Sequence, residues 1–225
     1  LVGIPGSSLL KKDDKFAGKI IVSEGRMPPS LEKIIKLKPS LVIGSEGFHD
    51  KILDKLGDLN IETLKTNTKS IYQLEILIKD LAFYLNKNPS SIKDNIKSCY
   101  LNKSKDRGSA VILASTKPLL SPNSNSWAGK LLDRFNFDNV SKDLESKTEF
   151  AGYVNLSPEI ILKKKPSKVI VISFPGMNQN SLANPILKKI IDSNKNEIIT
   201  FNYYGLINPG SLKTINSACK KLSKI

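Results

Sequence analysis

Apolar residues are distributed along the chain in two alternating patterns. Compact runs at Leu41-Val42-Ile43, Ala110-Val111-Ile112-Leu113, Val169-Ile170-Val171-Ile172 and Ile198-Ile199-Thr200-Phe201 have the composition of parallel strands covered on both faces. Between them, apolar residues recur at helical spacing. Ile71, Leu74, Leu77, Ile78, Leu81, Ala82 and Leu85 form one stripe. Leu182, Ile186, Leu187, Ile190 and Ile191 form a second, and Leu212, Ile215, Cys219 and Leu222 a third. Strands alternating with helices predict an α/β architecture built on parallel sheets. Asn88-Pro89-Ser90 is a helix start with Pro89 suited to the first helical position. The helix it opens, running to about Lys103, puts Ile92, Ile96 and Cys99 on one face. The polar stretch from Asn102 to Gly108 follows, and there one lobe is expected to hand over to the next.

One fourteen-residue pattern occurs twice. Ser30-Leu31-Glu32-Lys33-Ile34-Ile35-Lys36-Leu37-Lys38-Pro39-Ser40-Leu41-Val42-Ile43 returns as Ser157-Pro158-Glu159-Ile160-Ile161-Leu162-Lys163-Lys164-Lys165-Pro166-Ser167-Lys168-Val169-Ile170. Each copy reads as a serine cap, a short helix with an acid in its first turn, a Lys-Pro stop and a buried strand. Two copies 127 positions apart (157 − 30) describe two similar lobes. A solenoid needs three or more copies at short period.

Composition removes several function classes. The 225 residues are 40% hydrophobic and 25% charged, ordinary for a globular chain. No apolar run approaches the roughly 18–20 residues of a membrane span. Leu1-Val2-Gly3-Ile4-Pro5 reads as a strand entering a turn and not as a signal peptide. The net charge of +14 raises the question of nucleic acid, but the lysines are scattered and only Arg26, Arg107 and Arg134 are arginines. A solvated basic surface fits better than a nucleic-acid face. Cys99 and Cys219 lack the spacing of a zinc site, and a disulfide or two separate buried thiols remain open. One histidine, His49, does not make a histidine-rich metal site, and no P-loop, GxSxG or GxGxxG motif is present.

The doubled Ser-x-Glu-x-Ile…Lys-Pro-Ser-x-Val-Ile pattern resembles the cobalamin, haem and ferric-siderophore class of ABC-transporter substrate-binding proteins. The likeness continues in Leu1-Val2-Gly3-Ile4, similar to that family's second strand. It extends to Ser126-Trp127-Ala128-Gly129 at the start of the second lobe and to Asn208-Pro209-Gly210-Ser211 before the last helix. The resemblance implies two Rossmann-like lobes with parallel sheets joined by one long helix. The N-terminal lobe is then residues 1–88, without the family's first strand and helix; the interlobe helix and linker are 89–107, and the C-terminal lobe is 108–225.

The same resemblance implies which residues act. Glu32 and Glu159 would be the rim acids that meet arginines of the membrane permease; helix-dipole matching is the plainer reading of each. Loops bordering the ligand would carry Arg26, Met27, Glu46, Phe48 and His49 in the first lobe, although His49 reads more readily as a helix-start surface histidine than as an iron ligand. In the second lobe, Trp127, Tyr153, Tyr203 and Tyr204 would face ligand, with core filler the alternative for Trp127. The positions of two tryptophans in vitamin B12-binding relatives are here Ser45 and the segment from Glu24 to Arg26, which turns the expectation toward a polar ferric chelate.

The function expected is therefore that of a monomeric, non-enzymatic, periplasmic or lipid-anchored binding protein. It would take a metal chelate, a ferric siderophore ahead of haem or cobalamin, and deliver it to an ABC permease, with no resident cofactor or metal and no nucleic-acid partner. The competing expectation is an intracellular two-lobed α/β enzyme of transferase type.

Overall fold

A computed structural model describes residues 1–11, 13–24, 27–100, 106–145, 151–174, 185 and 197–225. The chain divides into two compact units, Leu1–Asn67 and Thr68–Ile225.

The first unit runs β1 (Gly3–Gly6), α1 (Ser8–Lys11), a 3-10 turn (Asp14–Phe16), β2 (Ile20–Glu24), α2 (Leu31–Lys36), β3 (Val42–Ser45), α3 (Asp50–Asp58) and β4 (Thr63–Thr66). β1 pairs with β2 and β3 with β4, both in parallel. Helix α3 lies close over β3: a Cβ on Gly44 would come within 2.8 Å of the Leu53 side chain. Leu53 and Leu56 of α3 are buried, as is Ile34 of α2.

The second unit begins with α4 (Ile71–Tyr84), α5 (Ser90–Lys93) and a 3-10 segment (Asp94–Tyr100). It continues through β5 (Ser109–Leu113), β6 (Ser115–Thr116), β7 (Leu119–Pro122), α6 (Trp127–Arg134), β8 (Asp138–Asn139), β9 (Tyr153–Asn155), α7 (Pro158–Lys164) and β10 (Lys168–Ser173). β11 (Glu197–Asn202), α8 (Tyr203–Leu206) and α9 (Leu212–Leu222) complete it. A parallel four-stranded sheet has the order β11-β10-β5-β8, and β6-β7-β9 form a small antiparallel sheet. The strand period of two assigns the faces. Ala110, Ile112, Ile170 and Ile172 enter one core with Leu131, Phe135, Ile215 and Leu222, while Val111, Leu113, Val169 and Val171 enter another with Val154, Leu156 and Ile161. Both faces of the central strands are therefore covered, as their uninterrupted apolar runs require.

Each unit contains one copy of the repeat, and the two agree in detail. Ser30 Oγ accepts the Lys33 N–H at 3.3 Å, and Ser157 Oγ accepts the Ile160 N–H at 3.4 Å. Lys38 and Lys165, each preceding a proline, both turn left-handed with φ of 46°. This is an uncommon conformation for a residue with a Cβ, and it halts both helices before their strands.

Helix α4 belongs to the second unit, burying Ile71, Leu74 and Ile78 in the same core as Leu131 and Ile215. The segment from Asn88 differs from the expected continuous helix as far as it is described. It breaks at Ile96 (φ −123°, ψ 20°), where Ser98 N–H donates to Asn216 Oδ1 at 3.0 Å and Cys99 is bonded to Cys219 of α9. Those ties to α9 hold it in 3-10 geometry. The disulfide settles the open question about the cysteines. Residues 101–105 and the helix expected over Leu182–Ile191 lie outside the described residues.

Candidate functional site

Open parallel sheets receive ligands outside the carboxyl ends of their strands. In the second unit that edge is aromatic. Phe174 follows β10 directly, and Tyr203 and Tyr204 follow β11. Phe174 and Tyr203 stack with ring centroids 5.0 Å apart and planes at 29°, and Tyr204 stands edge-on to Tyr203 at 5.3 Å. Tyr153, at the start of β9, donates its hydroxyl to the Ile207 carbonyl at 3.5 Å. Burial pushes its phenol up to about 12, and the neighbouring Tyr203 adds to the shift, so Tyr153 is a neutral hydrogen-bond donor at physiological pH. Phe174, Tyr203, Tyr204 and Tyr153 are all partly buried, an edge of rings and phenols suited to a flat or apolar guest. Phe174 was not singled out from sequence, although its place after a buried strand is the same signal that marks Tyr203.

A sharp turn holds this edge. Gly205 adopts φ of 99°, and a Cβ there would sit 2.2 Å from the Thr214 carbonyl oxygen, so only glycine fits. Ser211 and Thr214 close a capping box that starts α9 just behind it. The indole of Trp127 supports the turn from inside, its Nε1–H donating to the Gly205 carbonyl at 2.9 Å. Trp127 is only 5% exposed and packs in the core, in keeping with the core-filler alternative for this residue. Its loop is fixed by buried polar side chains. Asn139 Nδ2–H and Ser141 Oγ–H both donate to the Pro122 carbonyl, and Ser126 Oγ–H donates to the Asn123 carbonyl while accepting the Gly129 N–H.

In the first unit the loop between β3 and α3 leaves the carboxyl end of its own parallel pair. Phe48 at its tip is 88% exposed. Glu46 is exposed and accepts from Asn67 Nδ2 at 2.7 Å. His49 caps α3 without a side-chain cap bond; its Nδ1 instead accepts the Ser45 N–H at 2.8 Å. Met27 is exposed, and Arg26 lies outside the described residues.

Glu32 and Glu159 each occupy the second position of their helices, behind Ser30 and Ser157. Both are exposed, and Glu32 pairs with Lys36 one turn on at 2.7 Å. Among the described residues, no group of three or more His, Cys, Asp or Glu is gathered to hold a metal ion.

The profile of the Periplasmic binding protein family matches residues 1–196. The chain belongs to this family. Solved structures share the fold of this periplasmic binding protein along its whole length. An ABC-transporter substrate-binding protein from Listeria monocytogenes EGD-e superposes with a TM-score of 0.71 at 21% identity, covering 100% of this chain and 90% of that one. A periplasmic vitamin B12-binding protein of Vibrio cholerae gives 0.73 at 18% identity, covering 100% and 88%. A possible iron-binding periplasmic solute-binding protein from Staphylococcus epidermidis ATCC 12228 gives 0.72 at 18% identity, covering 99% and 88%. No curated protein matches the sequence. The resemblance read from the doubled motif is thereby borne out: this is the two-lobed α/β fold of substrate-binding proteins, and its work is binding, not catalysis. Among the described residues no helix is long and apolar enough to cross a membrane.

Proposed function

We propose that this periplasmic binding protein captures a metal chelate, a ferric siderophore in the first place, and delivers it as a monomer to an ABC permease. The observation that carries the reading is the partly buried aromatic edge of Phe174, Tyr203, Tyr204 and Tyr153 at the carboxyl ends of β10 and β11. Ring faces suit the catechol or macrocycle of a chelate, and a hydroxyl suits its oxygens. The chain's excess of positive charge favours an anionic guest, with Arg26 as a clamp for carboxylate or catecholate oxygens. In the first unit, Met27, Glu46 and Phe48 are the proposed ligand contacts, and His49 follows them at the start of α3. Glu32 and Glu159 serve the permease. The relatives that bind vitamin B12 and iron support the ligand class, and cobalamin and haem stand behind the siderophore.

An extracytoplasmic site of action, periplasmic or lipid-anchored, is supported by the family and by the Cys99–Cys219 disulfide, since such bonds persist in oxidising compartments.

Trp127 is the sole tryptophan, so its emission reports on the protein without ambiguity. Titration with a ferric tris-catecholate should quench it saturably at micromolar concentration, after an inner-filter control with free tryptophan. Cobalamin should bind more weakly. Tyr203→Ala and Tyr204→Ala should each weaken binding by roughly tenfold or more, as truncation of a buried aromatic contact does. Absence of saturable quenching by ferric catecholate, ferric hydroxamate, haem and cobalamin alike would refute the proposal.

A further inference from the structure

The loop between β3 and α3 is tied to its sheet through the chain's single histidine. Ser45 and His49 are bonded twice. The His49 backbone N–H donates to the Ser45 carbonyl at 2.9 Å, and the Ser45 N–H donates to His49 Nδ1 at 2.8 Å. Other bonds hold the same loop: Glu46 N–H to the Thr66 carbonyl at 2.9 Å, Asn67 Nδ2–H to Glu46 Oε2 at 2.7 Å, and Gly47 N–H to Asp50 Oδ2 at 3.0 Å. Only the bond to Nδ1 depends on a lone pair that a proton removes near neutral pH. An imidazole accepting at Nδ1 carries its proton on Nε2, whereas the imidazolium has N–H at both positions and accepts nothing. Protonation would set an N–H against the Ser45 N–H.

We infer that His49 is a positioning residue whose neutral ring latches this loop, and that acidification opens the latch and loosens the hold on ligand. The second half rests on the reading that Phe48 and Glu46 touch the chelate. The latch is closed where the ring is neutral and lost where it is protonated. The charged groups of the loop and of the elements beside it are carboxylates and lysines. Glu46 lies on the loop, Asp50 begins α3, and Asp54 one turn on pairs with Lys65 of β4 at 2.9 Å. Asp50 and Glu46 also act on Lys65, while Lys51 and Lys55 are exposed on α3. Carboxylates ordinarily change charge about two pH units below imidazole, and lysines well above it. Imidazole is the side-chain type whose ordinary charge change falls between about pH 5 and pH 8.

The test uses the isotope-labelled full chain, first without ligand. At about pH 8 the imidazole nitrogens should show Nδ1 unprotonated and Nε2 protonated, and at about pH 5 both protonated. Exchange of the Ser45 amide, corrected for its intrinsic pH dependence, should speed up by roughly tenfold or more across that range. His49→Asn offers an acceptor that does not titrate, and its Ser45 amide should stay protected at both pH values. The ferric tris-catecholate is then titrated against both proteins. Its affinity should fall at least about fivefold on acidification in the parent relative to His49→Asn, the variant controlling for pH effects on the chelate itself. Equal Ser45 protection at both pH values, or the same pH profile in His49→Asn, overturns the latch. A latch that opens with no differential loss of affinity overturns its link to ligand. Absence of binding at either pH counts against the proposed function, with the amide exchange still deciding the latch.

Discussion

Breaking the Cys99–Cys219 bond should cost the second unit much of its stability. The cysteines are 120 residues apart in sequence and 5.0 Å apart at Cα, so the bridge closes a loop holding everything from β5 to most of α9. In the chain-entropy account, closing a loop of about 100 residues restricts the unfolded chain by about 4.7 kcal/mol, and a somewhat longer loop by slightly more. Both cysteines are buried in one core, but alanine removes only a sulfur from each, so the packing loss is the smaller part. Cys99→Ala with Cys219→Ala should therefore lose about 5 kcal/mol of unfolding free energy. At about 2–4 °C per kcal/mol for a chain of this size, the melting temperature should drop by roughly 10–20 °C. Circular-dichroism melts of the oxidised parent, the parent in reductant and the double variant give three readings that should rank the parent first. Urea titration should show the same loss with a steady or higher slope, since the unbridged chain exposes at least as much surface. A double variant melting within about 2 °C of the oxidised parent would refute the reasoning, because the unfolded loop would then already be as restricted as the bridge makes it.

Two further outcomes are expected. Alkaline titration by phenolate absorbance should show two residues ionising late, near pH 12: Tyr153, raised mainly by burial, and Tyr100, raised by burial and then by its hydrogen bond to the Glu75 carboxylate. Unfolded phenols lose their protons near pH 10, so stability should decline as pH climbs from about 10 toward 12, and Tyr153→Phe and Tyr100→Phe should each remove one late step. In reconstituted transport, Glu32→Arg or Glu159→Arg should abolish most uptake while leaving chelate affinity within about twofold, as read by tryptophan quenching.

The elements most legible in the sequence were those whose composition follows directly from where they lie. β5 and β10 are covered on both faces, so the runs Ala110–Leu113 and Val169–Ile172 are apolar throughout, while β11 at the sheet's edge leaves Thr200 exposed. The repeat was legible down to its stops, where Lys38 and Lys165 share one backbone conformation. The periodicity of α4 showed that one face is buried but not which core receives it. β6 and β7 are short, and polar at Ser115 and Thr116, so no alternation announced their antiparallel sheet. Trp127 was ambiguous for a different reason. A helix start beside a sheet edge can present a side chain outward or inward, and the deciding contact, the carbonyl of Gly205, is 78 residues away in sequence. No pairing of the cysteines could be read across 120 residues.

The two glutamates separate the plain reading from the functional one by magnitude. As helix acids, each gains about 0.3–1 kcal/mol from the dipole. The exposed pair with Lys36 adds a few tenths for Glu32, and Lys163 occupies the same i+4 place in the second copy. If that were all they did, reversing either charge would cost the fold about 1 kcal/mol, too little to unfold a domain or to impair uptake. A partner that presents arginine to the same carboxylate changes the arithmetic. Like charges pressed together across an interface cost several kcal/mol, a hundredfold or more in affinity, with the fold and the chelate site untouched. The decisive measurement is thus the difference between two losses in one variant. Nearly unchanged melting together with collapsed delivery requires a docking partner. Equal and small losses in both would leave Glu32 and Glu159 as dipole-matching acids and nothing more.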